Sequence, residues 1–198
     1  MAVFIIAQVI SIIGMVISFL SFQQKTKSKV ISLQLISTLM FFVNMVMLGG
    51  IVGGILNLIA AIRALLFVFK DKFKADSIWW FLGFLILYVG VYVFQFTALK
   101  MQPTAKNLII EVLPVIGIIL THIGFMCKSA KMLRLFCLIN SPCWLVYNCI
   151  IFTIGGIIGE SLNLISIILG IIRLDIKKQK PKEESSSQEI VEEQPEIA

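Results

Sequence analysis

Long apolar runs, each marked by one or two small polar residues, alternate along this chain with short hydrophilic breaks. A helix of roughly twenty residues, rising about 1.5 Å per residue, crosses the hydrocarbon core of a bilayer. On that rule membrane spans are predicted at about 2–22, 30–49, 51–69, 77–98, 108–127, 132–152 and 155–174. The second and third are joined only through Gly49, Gly50, Gly53 and Gly54, and the sixth and seventh through Thr153, Gly155 and Gly156, so each pair forms a tight hairpin. The first run does not read as a cleaved leader: it lacks a basic start, is long enough to span, and is followed by Lys25, Lys27 and Lys29. From 175 to 198 the pattern stops, and a glutamate- and serine-rich disordered cytoplasmic tail is expected.

Composition sharpens this picture. Hydrophobic residues make up 59% of the 198 and charged residues 14%, more apolar surface than a water-soluble domain of that size can cover. The net charge of +6 does not point to nucleic acid, because the basic residues cluster in the breaks between apolar runs. There they act as topology signals. With the N-terminus outside, the inner side collects Lys25, Lys27, Lys29, Lys70, Lys72, Lys74, Lys128, Lys131, Arg134, Arg173, Lys177, Lys178, Lys180 and Lys182. The outer side keeps Lys100 and Lys106, and Arg63 lies within a span, so the distribution of positive charge favours N-out and C-in.

The chain also repeats itself about 105 residues apart. Leu56-Asn57-Leu58-Ile59 returns as Leu162-Asn163-Leu164-Ile165, and the polar-spotted run from Ser37 to Asn44 returns as Ser141 to Asn148. Moving from the first span to the fifth crosses the membrane four times, so both copies point the same way. The fold class expected is therefore all-α, a polytopic membrane protein of seven transmembrane helices in a parallel 3+1+3 repeat. Residues 1–70 form the first three-helix copy, 77–98 the linker helix and 106–174 the second copy. Trp79, Trp80, Tyr88 and Tyr92 suit the linker as interfacial anchors. The four cysteines, Cys127, Cys137, Cys143 and Cys149, read as small packing residues, with no metal-ligand spacing.

Several short motifs carry a family resemblance. Glu111-Val112-Leu113-Pro114-Val115-Ile116-Gly117 opens the fifth span, Trp144 and Asn148 mark the sixth, and Ile154-Gly155-Gly156 with Glu160 opens the seventh. Ile62-Arg63 and Ile172-Arg173 end the third and seventh. In that order and spacing the chain resembles the YgjV-type bacterial inner-membrane proteins, within the SWEET and SemiSWEET PQ-loop transporter superfamily. The resemblance implies a multi-pass protein of the bacterial plasma membrane. The chain departs from the superfamily pattern in two ways. Phe22-Gln23-Gln24 and Met126-Cys127-Lys128 stand where a Pro-Gln pair is typical, and only the second copy has prolines in its first two helices, Pro114 and Pro142.

Polar groups inside a bilayer are costly and face the bundle interior. Gln34, Ser37, Phe41 and Asn44 fall on one helical face, and Asn140/Ser141, Trp144 and Tyr147/Asn148 form the matching stripe. Ser37 pairs with Ser141, Asn44 with Asn148 and Asn57 with Asn163. These pairs either hydrogen-bond helix to helix or line a central cavity, and their placement in both copies favours the cavity. Amides and hydroxyls suit an uncharged polyol, and Trp144 and Tyr147 could stack on a sugar-like ring. Similarity to SWEETs points to Asn57 and Asn163 as substrate-facing.

The titratable residues raise gating or proton coupling. Glu111 and His122 are eleven residues apart on one helix, about 16 Å along the axis, and cannot touch. Glu111 and Glu160 fall near the outer end and read as solvated, His122 as an interhelical donor. Arg63 either snorkels to the interface or closes an inner gate, with snorkelling favoured. No catalytic constellation, phosphate loop, cofactor motif or metal set is present in the sequence, so the chain is not read as an enzyme. The function expected is passage of a small polar solute through a site between the copies. The rival is a membrane binding or scaffold protein of the same fold. The partners are the lipid bilayer and the solute, with homo-oligomerisation left open.

Overall fold

A computed structural model describes residues 2–150, 152 and 154–176. The helices are α1 (Ala2–Phe22), α2 (Lys27–Met47), α3 (Ile51–Val68), the single turn α4 (Lys70–Phe73), α5 (Ile78–Thr97), α6 (Ala105–Met126), α7 (Ala130–Ile150) and α8 (Ile154–Gly170). A widened, π-helical turn carries α8 on through Ile171–Ile176. Among the described residues, seven helices are long and apolar enough to cross a membrane. In hydrocarbon a backbone must satisfy its own hydrogen bonds, which is why these apolar segments are helical. The second span starts at Lys27, three residues before the expected position, and its basic first turn belongs to the helix. The expected tail boundary at 175 is also corrected, because Asp175 and Ile176 continue the helix. The rest of the tail, 177–198, lies outside the described residues.

Helix ends follow local chemistry. Ser77 and Thr104 each accept a backbone N–H two or three residues on, at the starts of α5 and α6. Gly49, at φ +74°, turns the α2–α3 hairpin in a left-handed conformation that a Cβ disfavours. The α7–α8 link instead places Phe152 at φ +58°.

The burial pattern is that of a membrane protein. Apolar side chains such as Val9, Ile12, Val16, Trp79 and Ile86 are exposed, while Ser21, Ser37, Asn44, His122, Arg134 and Ser166 are buried. α1 packs on α2 and α2 on α3; α6 packs on α7 and α7 on α8. The two triplets meet where α1 lies against α8, α2 against α7 and α3 against α6, and α5 packs on both α3 and α6. Tyr88 of α5 is buried against Phe84, Leu56 and Ile118 rather than standing at an interface, which corrects its reading as an anchor. Of the cysteines only Cys137 is buried; Cys149 is exposed, so its reading as a packing residue is also corrected.

At the basic end the triplets are closed on each other. Phe22, Val30, Phe67, Phe125, Leu133, Cys137 and Ile167 form one buried apolar cluster. Above it, Arg134 is 1% exposed and forms a bidentate pair with Asp175, with Nη1 at 2.8 and 2.9 Å from the two carboxylate oxygens. Its Nε donates to the Phe22 carbonyl at 3.0 Å and its Nη2 donates to that of Gln24. Arg134 is therefore not a solvated topology signal: it caps the C-terminal carbonyls of α1, where the helix dipole is negative. The reverse reach is made by Lys27, whose ammonium donates to the carbonyls of Phe125 and Cys127 at the end of α6. Each triplet thus caps the first helix of the other.

Candidate functional site

Between the triplets lies a cavity of about 310 Å³. That is at the small end of ligand pockets and suits a compact metabolite. Both copies line it. The first contributes Gln34, Ser37, Phe41, Asn44 and Asn57, the second Asn140, Ser141, Trp144, Asn148, Glu160 and Asn163. Phe22, Arg63, Cys137 and Ile167 line its end toward the closed apolar cluster. At the other end the lining reaches the exposed Gly155.

The six residues of the three sequence pairs all border this cavity, but their hydrogen bonds do not obey the repeat. Ser37 donates to the Gly14 carbonyl at 2.8 Å and Asn44 to the Ala7 carbonyl at 2.8 Å, tying α2 to α1. Ser141 donates instead to Glu160 Oε2 at 2.9 Å, tying α7 to α8. Asn57 and Asn148 donate within their own helices, to Gly53 and Trp144, each at 2.8 Å. Asn163 Oδ1 accepts from Ser18 Oγ at 2.9 Å, joining α8 to α1 across the triplets. Helix-to-helix bonding and cavity lining, which the sequence left as alternatives, coincide in Ser37, Asn44, Ser141 and Asn163 but not in Asn57 and Asn148.

Glycine makes room for the second copy's polar groups. A Cβ on Gly117 would meet the Asn140 amide oxygen and the Trp144 indole, whose Nε1 lies 2.9 Å from that position. A Cβ on Gly156 would collide with the Asn148 amide. Trp144 reaches the lining because α6 has no side chain at 117. Tyr147 does not reach it: its hydroxyl faces Glu111, 3.4 Å from both carboxylate oxygens, and only its ring edge meets Trp144.

The titratable residues occupy other places than expected. Arg63 does not snorkel. It is 4% exposed, and its Nη1 donates to Tyr88 Oη at 3.3 Å and to the Ile118 carbonyl at 3.1 Å. Its guanidinium lies 4.7 Å from the centre of the Phe125 ring. Carbonyl, phenol and ring together hold the charge where a bilayer interface would otherwise draw it. Glu111 is buried, not solvated, because α7 delivers Tyr147 to it. Glu160 is partly buried and borders the cavity. His122 is fully buried away from the cavity, with Nδ1 3.2 Å from Tyr88 Oη and its ring edge-on to Phe67, Phe81 and Phe84. Pro114 is buried inside α6 and Pro142 exposed inside α7, and both helices run on through them. Among the described residues no group of three His, Cys, Asp or Glu converges as a metal site requires.

The sequence reading missed Ser18 and Asp175, and it took Gly117 and Gly156 as motif and hairpin residues without reading the space they leave for Trp144, Asn140 and Asn148. A signal for the first was present: Ser11, Gly14, Ser18 and Ser21 recur at the same spacing as Gln34, Ser37, Phe41 and Asn44, marking a small, polar face on α1. Nothing local marked Asp175, whose partner is 41 residues away.

Comparison with known proteins adds one finding. A family model described as a bacterial inner membrane protein, Imp-YgjV, matches residues 5–178. No curated protein and no solved structure matches the chain. With that match running through all seven apolar helices, the chain belongs to the Imp-YgjV family and is a multi-pass bacterial inner membrane protein.

Proposed function

We propose that this protein passes a small polar solute across the membrane through the cavity between its two helix triplets. The observation that carries the reading is the cavity itself: about 310 Å³, bordered by Ser37, Asn44 and Asn57 of one copy and Ser141, Asn148 and Asn163 of the other. A packed, dry seam between the triplets would have favoured a scaffold. The architecture read with this function is a parallel 3+1+3 repeat of SWEET-like type, with α5 as the inverting linker, the N-terminus outside and the basic end cytoplasmic. The apolar cluster and the cross-triplet caps at the basic end then form the closed side of an alternating-access cycle, with opening toward Gly155.

The test is a thermal-shift screen of metabolites on purified wild type and on the Asn57→Ala/Asn163→Ala variant. A stabilising solute is expected to bind the variant about tenfold or more weakly, two hydrogen-bonding groups having been removed. Equal binding would exclude this site. For topology, a single cysteine introduced at Lys72 in a cysteine-free background is expected to label only from the cytoplasm, and outside labelling would reverse the orientation.

A further inference from the structure

We infer that the solute this cavity selects is a small protonated amine, read by its N–H donors and positive charge, rather than an uncharged polyol. The inference rests on the reading of the cavity as a solute site and names the chemical class.

The first argument is which hydrogen-bonding atoms remain available. Asn44, Asn57 and Asn148 each donate their amide nitrogen to a backbone carbonyl, those of Ala7, Gly53 and Trp144. A carbonyl only accepts, so these bonds fix the amide orientation. Among the described residues each Oδ1 and the second N–H of each amide are left without a bond, with Asn148 Oδ1 lying against Gly156. The hydroxyls of Ser37 and Ser141 likewise donate into the protein, to Gly14 and Glu160. The Trp144 indole lies against Gly117. The lining thus offers amide and hydroxyl oxygens as acceptors beside donors on Gln34, Asn140, Trp144 and Arg63. Its hydrogen-bonding groups accommodate a donor-bearing ligand, and the choice of class falls to charge.

Charge makes the second argument, and it separates an ammonium from a polyol. Glu160 is the one carboxylate in the lining, and no basic side chain lies within ion-pair reach of it among the described residues. Ser141 donates to one of its oxygens, and a partly buried carboxylate without a cation is poorly compensated until one arrives. Arg63 is the one basic residue of the lining; its Nη1 is engaged by Tyr88 and the Ile118 carbonyl and its guanidinium lies over the Phe125 ring, while its Nε has no partner among the described residues. Trp144, on the same wall system, supplies an aromatic surface that favours a cation over a neutral solute. The carboxylate has no counterpart in the first copy: at the 106-residue offset relating Asn57 to Asn163, Glu160 corresponds to Gly54. Glu160 and Arg63 are the two charges of the lining; the guanidinium is turned to Tyr88, Ile118 and Phe125, which leaves Glu160 as the group an ammonium end can meet.

The experiment uses the full chain in detergent micelles, following thermal unfolding with ethanolamine, putrescine, choline or glucose at matched ionic strength. Ethanolamine and putrescine are expected to raise the midpoint, choline less because it has no N–H, and glucose not at all. Glu160→Gln should weaken ethanolamine binding at least tenfold, while Glu160→Asp retains most of it. Unliganded midpoints of both variants report whether they fold. If ethanolamine binds Glu160→Gln as tightly as wild type, the inference is overturned. If glucose stabilises and ethanolamine does not, with the glucose response lost in Asn57→Ala/Asn163→Ala, the amine class is wrong and the cavity reading stands. If none of the four probes shifts the midpoint and the metabolite screen finds no solute, both readings fail together.

Discussion

The two helix triplets share a hydrophobic pattern and differ in how they use their polar positions. Ser37 and Ser141 are equivalent in sequence, yet one donates to a backbone carbonyl on α1 and the other to the Glu160 carboxylate on α8. At the same 104-residue offset, the buried Val30 of the first copy corresponds to Arg134 of the second. The first hairpin turns on Gly49 and the second places Phe152 in the same left-handed region. In the first triplet Ser37 and Asn44 bond to backbone carbonyls of α1, whereas in the second Ser141 and Arg134 bond to carboxylates that need particular residues. A backbone acceptor is present whatever the sequence, whereas a carboxylate partner exists only where a glutamate or aspartate was placed.

That contrast can be broken at four places. The largest effect is expected at Arg134→Ala, which leaves Asp175 buried without its partner and the end of α1 uncapped. A loss of about 3–5 kcal/mol is expected in denaturant unfolding of the purified protein. The combined Arg134→Met/Asp175→Leu variant should recover most of it, and failure to recover would show that the caps on Phe22 and Gln24 dominate over the ion pair. Next comes Gly156→Ala, where a methyl group meets the Asn148 amide, at a cost of about 1–3 kcal/mol. Its first-copy counterpart Gly50→Ala meets only the flexible Met45 thioether at 3.1 Å and should cost distinctly less; equal midpoint shifts would contradict the asymmetry.

Ser141→Ala should cost about 1.5–3 kcal/mol because its acceptor is ionisable, against about 0.5–1.5 for Ser37→Ala. Comparison of their unfolding free energies tests whether Glu160 carries charge in the resting protein, since a neutral Glu160 would bring the two costs together. The smallest effect is expected at the hairpins. Phe152→Gly should gain up to about 1 kcal/mol by relieving a left-handed residue, and Gly49→Ala should lose a similar amount. A destabilising Phe152→Gly would mean that the exposed ring makes a compensating contact with lipid.

Much of this was legible in the chain. The helices fell within a few residues of the hydropathic runs because spanning a bilayer imposes length and apolarity locally. The polar stripe with Ser37 and Asn44, and its repeat at Ser141 and Asn148, marked the inward faces for the same reason. Partner choice was not legible. Arg63 reads as a snorkelling residue until α5 brings Tyr88 and α6 brings Phe125 against it. Glu111 reads as solvated until α7 covers it with Tyr147, which thereby leaves the cavity. Arg134 reads as a loop cation until Asp175, beyond the expected end of the last span, closes on it.

By itself the sequence determined seven membrane helices and the inward faces marked by Ser37, Asn44, Ser141 and Asn148, because each is set by periodicity and by the cost of exposing polar groups to lipid. Only the tertiary structure decided which polar atoms remain free in the cavity and which charges are held elsewhere. Hydrogen bonds and ion pairs form between groups up to 150 residues apart, and no local pattern records which donor has already found its acceptor.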